Sequence, residues 1–476
     1  MATARREKMS AVDTAWLRMD RPDNLMVICG VMTLRDRIDL ERFAATIEKR
    51  FLRYARFRKR PVEKEGVTYW ETDRAFDLSR HLATVKLPGK GGTRQLQSLV
   101  SRLLSTPLDR ARPLWQYHLV DNYLGGSALI MRIHHCYADG IALTQVLLSM
   151  TDAARGRPGR APKAAKAAKA VAHAEDESGG FAQLKRSLPG VMQMALKIGE
   201  AMIEKGVAIW QDPKEALALA TQGTAFAAEI AKLALMTQDS PTRFKGKPGV
   251  AKCAAWAAPI SLADVKAVGK ARKASVNDVL LSCAAGALRS YLVDKGDRVR
   301  GVVIRALVPV NLRPLEKAHE LGNHFGLVFL DLPIGIESPV RRLAAVRANM
   351  NALKASYQPV LSLGLLAAMG SGPKILQDQL LMALARNGTA VMTNVPGPQQ
   401  PLYLAGAEVG SVMVWVPQSG DIGMGVSIIS YNGQVQFGLV TDRGLCPDPG
   451  NISALFESEF EKLRATIPER AARSAA

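Results

Sequence analysis

Residues Ile130 to Gly140 read "IMRIHHCYADG", which sets two adjacent histidines, His134 and His135, ahead of Asp139 and Gly140. Imidazole takes or gives a proton close to neutrality, so proton transfer, metal binding and nucleophile activation are the chemistries to weigh. Neighbouring side chains of a strand point to opposite faces, so adjacent histidines seldom grip one ion. No cluster of Cys, His or carboxylate residues stands nearby to complete a tetrahedral set, and H-E-x-x-H is absent, so no metal is expected. A serine triad lacks its G-x-S-x-G elbow. Two readings remain open on spacing alone: one histidine as a general base held by the following turn, or a structural histidine pair. Asp139 can fix that turn through an arginine or backbone N–H groups. Gly140 permits a conformation or close approach that a side chain would block.

The elements that must hold this motif can be read around it. "GSALIMRIHH" is an apolar run of strand length bounded by glycine. After Gly140, "IALTQVLLSM" puts Leu143, Val146, Leu147 and Met150 on one helical face. The motif therefore falls where a strand ends and a helix begins. Further along, "ASVNDVLLSCAAGALRSYLVDKG" predicts a helix with Ser275 as N-cap and Asp278 three residues later, a capping-box position.

At 476 residues the chain exceeds what one core usually organises, so two domains are expected. The N-terminal unit spans 1–153. An Ala/Lys/Pro/Gly-rich linker follows at 154–180, with Lys163, Lys166 and Lys169 spaced along it. Residues 181–250 form a Met/Ala/Leu-rich helical segment whose faces could cover a core or lie on lipid. A second α/β unit spans 251–476. Hydrophobic residues at 48% and charged residues at 22% suit a folded protein. The formal charge of +20 favours an anionic partner such as a phospholipid surface, nucleic acid or a phosphate-bearing ligand. "EKRFLRYARFRKR" is basic, yet it suits an amphipathic helix entering a strand and no nucleic-acid motif accompanies it, so no nucleic acid is expected. Five scattered cysteines read as buried thiols in a reducing compartment. The N-terminus shows no apolar signal region, and "VLSLGLLAAMG" is short of the ~20 residues needed to span a bilayer. A cytoplasmic protein, attached peripherally at most, is expected.

H-H-x-x-x-D-G resembles the motif of acyl-CoA-dependent acyltransferases with the chloramphenicol-acetyltransferase-like fold, a group that includes peptide-synthetase condensation domains. Other segments narrow the resemblance to the bacterial wax ester synthase/diacylglycerol acyltransferase family. "RPLW" (Arg112 to Trp115), "SVND", "VPVNLRP", "LGNHFG", "MTNVPGP" and "SYNGQVQFGLVTD" occur in the family's order, from "MSAVDTAWLRMD" to the C-terminal helix. Each segment alone has a structural explanation; their order is what makes the likeness specific. Cys136 and Tyr137 depart from the pattern only at variable positions.

The resemblance implies an α/β fold of two sandwich domains with mixed sheets, joined by the linker and the helical segment. It implies O-acyl transfer from a fatty acyl-CoA to diacylglycerol, a long-chain fatty alcohol or both. His135, the second histidine, would be the general base; His134 would support the fold from the opposite face. Asp139 would stabilise the loop, with Arg313 as a partner, and Gly140 would complete the motif. Asn277 and Thr393 would donate to the oxyanion or order the site, with Asp278 and Asn394 beside them. No cofactor beyond the acyl-CoA substrate is implied, and the positive surplus would meet an anionic inner-membrane face or lipid droplet. The alternatives are an acyltransferase of this fold for another hydroxyl or amine acceptor, or a non-catalytic droplet-surface protein.

Overall fold

The computed structural model describes residues 6–155, 229, 232–233, 235–313 and 320–467. The linker beyond Arg155 and the helical segment up to residue 228 lie outside the described residues. Of that segment's end, Leu233 is buried and Met236 is half-buried against the core. No described helix is long and apolar enough to cross a membrane.

Two seven-stranded mixed sheets organise the chain. The first runs in the order Leu82–Val85, Trp115–Tyr123, Gly126–His134, Val27–Leu34, Ala407–Trp415, Tyr403–Leu404 and Thr151–Asp152. The second runs Ile260–Ser261, Gln434–Asp442, Met424–Tyr431, Ala390–Pro396, Ile304–Asn311 and Phe325–Leu332, with Lys252–Trp256 also paired to Gln434–Asp442. A small three-stranded sheet near the N-terminus accompanies them. The α/β class and the mixed sheets expected from the sequence are present.

The expected division at residue 250 needs one correction. The hairpin Tyr403–Trp415, placed by sequence in the second unit, leaves its own lobe and completes the first sheet. Val414 pairs with Gly30 and Trp415 with Cys29 along the antiparallel ladder. The physical reason lies in Val27–Leu34, which is buried at every position but Thr33. A buried strand cannot leave one edge unpaired, and the long excursion supplies the missing ladder.

The second sheet has two different faces. Ala306, Val328, Leu330, Met392 and Val426 point into a core shared with the helices Val276–Asp294, Pro339–Lys354 and Pro449–Arg464. Their alternates Leu307, Leu327, Val391 and Thr393 point the other way and line a cleft toward the first lobe. These strands read as continuous apolar runs because both faces are covered, one by core and one by the cleft.

The apolar run at Val360 to Gly370 forms the helix Gln358–Ser371, buried along nearly its whole length. It joins the lobes by close backbone approach. A Cβ on Gly370 would fall 1.6 Å from the Ala11 carbonyl, and one on Gly326 would fall 1.8 Å from the Pro359 carbonyl. Only glycine lets the helix sit this near the helix Ala11–Arg18 and the strand Phe325–Leu332. The cysteines are free, four buried and Cys253 half-buried.

Candidate active site

The strand Gly126–His134 is buried at all nine positions. It ends with His134 N–H on the Leu114 carbonyl (2.9 Å) and His135 N–H on the Met26 carbonyl (2.7 Å). The two histidine side chains then part company. His134 Nδ1 accepts the Cys136 N–H at 3.1 Å, and its Nε2 faces Asp20 Oδ1 at 3.8 Å. Burial alone would raise the Asp20 pKa, but His134, the Met26 N–H and Arg110 together hold it to about 2. His134 is thereby tied into the loop's support.

His135 instead stacks on Trp16, ring centroids 4.1 Å apart and planes 17° from parallel, with Phe325 at 5.6 Å. Its ring lines the cleft. Burial pushes its pKa down to about 4, and the Asp139 charge acts in the opposite direction. The imidazole is therefore neutral at physiological pH, as a proton acceptor must be. Its Nδ1 is buried without a hydrogen-bond partner.

Asp139 caps the helix Gly140–Met150, its Oδ1 accepting the Ala142 N–H at 2.9 Å. Its Oδ2 accepts from Arg313 Nη2 at 2.6 Å and from the His324 N–H at 3.0 Å. Arg313 also donates to the carbonyls of Gly322 (2.6 Å) and Glu320. Asp139 and Arg313 are both buried, so this pair from opposite lobes is shielded from solvent. The helix is buried more widely than a single apolar face requires: Gln145 and Ser149 are covered along with Leu143, Val146 and Met150, and Leu147 is half-buried. A Cβ at Gly140 would meet nothing within 4 Å, and Gly140 borders the cleft, so its missing side chain widens the cavity rather than relieving a clash.

The facing wall comes from Ala390–Pro396. Strand alternation turns Thr393 into the cleft, beside Val391 and Val395. Asn394, which also borders the cleft, donates from Nδ2 to Asn277 Oδ1 at 3.0 Å. Asn277 itself is absent from the cleft lining; it stands one hydrogen bond behind it. Asp278 forms the capping box with Ser275: Ser275 N–H to Asp278 Oδ2 is 2.9 Å, and Asp278 N–H to Ser275 Oγ is 3.1 Å. The structure thus gathers His135, Asp139, Gly140, Thr393 and Asn394 around one cleft, and leaves His134, Asn277 and Asp278 outside its lining.

That cleft encloses about 900 Å³, its open mouth included. A second cavity of about 780 Å³ adjoins it, sharing Trp16, Leu307, Leu327 and Ser419. The helices Gln358–Ser371 and Lys374–Arg386 wall it with Leu361, Leu365, Met369, Leu381 and Leu384, and its lining is almost wholly apolar. Among the described residues no group of three or more His, Cys, Asp and Glu could hold a metal ion.

Several participants were not assigned roles from sequence. Trp16, Asp13 and Asn323 lie in "MSAVDTAWLRMD" and "LGNHFG", segments notable for their order along the chain but silent about which atoms they bring to the histidine. Asp13 accepts from Asn323 through both its backbone N–H (3.2 Å) and its amide (2.8 Å). Asn323 in turn donates to the His135 carbonyl at 2.9 Å. Trp115 of "RPLW" is fully buried, its indole N–H donating to the Phe57 carbonyl at 2.7 Å, and serves the core. Tyr137, inside the motif, ties it down by donating to the Lys59 carbonyl (2.6 Å) and accepting the Leu114 N–H (3.0 Å).

Comparison with known proteins gives a consistent result. The profile of the wax ester synthase/diacylglycerol acyltransferase catalytic domain matches residues 9–280, and that of the WS/DGAT C-terminal domain matches residues 321–464. A relative in Mycobacterium tuberculosis, named a "probable diacylglycerol O-acyltransferase", is 29% identical over 448 residues, 91% of this chain and 89% of the relative. The solved wax ester synthase/diacylglycerol acyltransferase of Marinobacter aquaeolei VT8 superposes with a TM-score of 0.67 at 22% identity, covering 96% of this chain and 98% of that one. The starter condensation domain of rhizomide synthetase, solved with C8-CoA, shares the fold at a TM-score of 0.52 and 13% identity, covering 97% and 94%. With a catalytic-domain match across more than half its length, the chain belongs to the wax ester synthase/diacylglycerol acyltransferase family and is an O-acyltransferase.

Proposed function

We propose that the enzyme moves a long-chain fatty acyl group from acyl-CoA to diacylglycerol, a long-chain fatty alcohol or both, by direct transfer with His135 as general base. One observation carries the reading: a buried, neutral histidine lines a cleft that continues, past the Trp16 on which it stacks, into an apolar cavity. Together the two spaces, one with polar groups beside His135 and the other lined almost wholly by apolar side chains, suit a substrate with a polar reacting centre and a long hydrocarbon tail. CoA and the acceptor lipid bind together, and no cofactor takes part.

The acceptor oxygen attacks the thioester carbonyl carbon while its proton passes to His135. A tetrahedral oxyanion forms, the C–S bond breaks, and the departing CoA thiolate takes the proton back from the imidazolium. The Thr393 hydroxyl and the second Asn394 N–H stand on the facing wall to donate to that oxyanion, where a single donor is typically worth ~3–4 kcal/mol. The apolar cavity takes the acyl chain and excludes water, so hydrolysis does not compete. The net charge of +20 fits both the CoA phosphates and attachment to an anionic membrane or droplet surface.

Purified protein given palmitoyl-CoA with hexadecanol or dioleoylglycerol, offered separately, should release thiol and form ester with at least one. Failure with both points to another acceptor. His135→Ala should lose at least ~100-fold in turnover while folding and binding CoA. Near-wild-type turnover in that variant would overturn the assignment of the base. In flotation with anionic liposomes, binding at low salt should be lost near ~1 M salt, where the Debye length falls to ~3 Å. Equal, salt-insensitive binding to neutral liposomes would refute electrostatic attachment.

A further inference from the structure

Four described residues line both the cleft and the apolar cavity, and of these Trp16 is the one stacked on the His135 ring. The centroids lie 4.1 Å apart with planes 17° from parallel, so the indole covers one face of the imidazole. Phe325 closes on both rings at a tilt, 5.7 Å from Trp16 and 5.6 Å from His135. His135 borders the cleft and not the apolar cavity. A hydrocarbon chain lying in that cavity therefore meets Trp16 rather than the base itself.

A buried tryptophan usually anchors its N–H on an acceptor, but Trp16 Nε1 is buried without a partner. Packing alone fixes the plane of its ring. The main chain beneath is tied to the walls of the cavity. Gln377 Nε2 donates to the Ala15 carbonyl at 2.9 Å, and Arg18 Nη1 donates to the Gly372 carbonyl at 3.0 Å. Gln377 belongs to the helix Lys374–Arg386, and Gly372 is the C-cap of the helix Gln358–Ser371; both helices wall the cavity. The backbone under Trp16 is thus anchored, while its side chain borders open space and leans on the base.

We propose that Trp16 is the positioning residue through which the acyl chain braces the base: a long chain filling the apolar cavity packs on the indole and holds it flat against His135, and a short chain leaves it unbraced. This rests on the reading of His135 as base and of the apolar cavity as the acyl-chain site. Binding energy from the remote end of the substrate is then used at the reacting centre, so truncating the chain lowers kcat and does not act on KM alone. The indole also keeps water from the imidazole, whose burial is the largest influence on its affinity for a proton. The neighbouring charges are few. Asp139 favours the imidazolium and His134 opposes it, while Arg313 is engaged with Asp139. Asp20 faces His134, Asp13 meets Asn323 and Arg56, and the His324 residue is exposed.

The test is steady-state kinetics with palmitoyl-CoA and octanoyl-CoA in the wild type and two variants. In the wild type, kcat should be about tenfold higher or more with palmitoyl-CoA. Equal kcat for the two chains overturns the proposal, and this arm needs no variant to fold. Trp16→Leu, its fold checked by circular dichroism, should lose turnover chiefly with palmitoyl-CoA, bringing the two kcat values within about twofold of each other. Trp16→Phe keeps an aromatic face and should restore part of the difference. Water admitted to the ring in Trp16→Leu favours the imidazolium, so the acid limb of kcat/KM should rise toward the usual histidine value of ~6.5. A residue that only supports the fold would depress both substrates by one factor and leave the limb in place; that result in Trp16→Leu overturns the proposal. Retained turnover in His135→Ala would sink the base assignment itself. An inactive His135→Ala with a kcat indifferent to chain length would sink only the role of Trp16.

Discussion

Two helices of this enzyme start with an acidic residue in a motif, and the two starts are built differently. Asp278 closes its own turn, exchanging hydrogen bonds with Ser275 three residues away. Asp139 gives one oxygen to its own helix and reaches with the other across 174 residues to Arg313 and 185 to the His324 N–H. The first is a local cap. The second is a joint between lobes, and it sits directly behind the loop that carries His135. The same signature, an acid at a helix start, therefore answers to different physics depending on whether its second oxygen stays at home.

The largest expected effect comes from breaking the joint. Arg313→Ala leaves Asp139 buried with its charge uncompensated, and losing one partner of such a pair typically costs ~3–5 kcal/mol. The melting temperature should drop by many degrees, and any enzyme that stays folded should lose turnover because the His135 loop is no longer held. Normal stability in Arg313→Ala would show that Asp139 can find another partner, and the contrast between the two helix starts would collapse.

Asn277→Ala comes next. Asn277 does not border the cleft but holds Asn394, which does, so its loss should free the Asn394 amide to turn away from the oxyanion. Turnover should fall by up to ~100-fold, the scale of one lost donor, with the melting temperature nearly unchanged. If the variant melts earlier and turns over normally, Asn277 is merely a first-turn helix residue.

The sequence was most informative where the cause was local. The strand ending at His134, the helix after Asp139 and the capping box at Ser275 and Asp278 all follow from spacing within a few residues, and the structure has each of them. The opposite directions taken by His134 and His135 follow from strand alternation in the same way. What a single sequence could not show is pairing over distance. The return of Ala407–Trp415 to the first sheet and the stacking of Trp16 on His135 join segments hundreds or scores of residues apart. Nothing in the local pattern of either partner names the other. Asn323 illustrates the limit: "LGNHFG" looks like a glycine-bounded loop, and only the folded chain brings its amide to the His135 carbonyl.

A third measurement compares His135 with an ordinary histidine. Burial disfavours the imidazolium and lowers the pKa to about 4, so His135, as the proposed base, would be protonated and silenced only in stronger acid. The acid limb of kcat/KM should accordingly fall well below the usual histidine value of ~6.5. Activity should hold nearly level from pH 7 down toward 5, provided far-UV circular dichroism shows the fold intact. A limb at ~6.5 would mean that water or substrate opens the His135 environment before chemistry.

The smallest effect should come from Asp278, and it is the sharpest check on the comparison. Asp278→Ala removes one of the two reciprocal bonds of the capping box, that from the Ser275 N–H, and keeps the one from its own backbone N–H to Ser275 Oγ; losing one such bond typically costs ~1 kcal/mol. One of its oxygens, Oδ1, is buried without a partner, and deleting that atom offsets part of the loss. The net change in melting temperature should be a few degrees at most. Because Asp278 makes no contribution to the cleft lining, kcat and the acid limb should stay where they are in the wild type. Asp278→Asn retains the Oδ geometry and should lie between the two. A drop in kcat of ~100-fold with unchanged melting would place Asp278 in the chemistry, and its helix start would then have to be read, like that of Asp139, as part of the site.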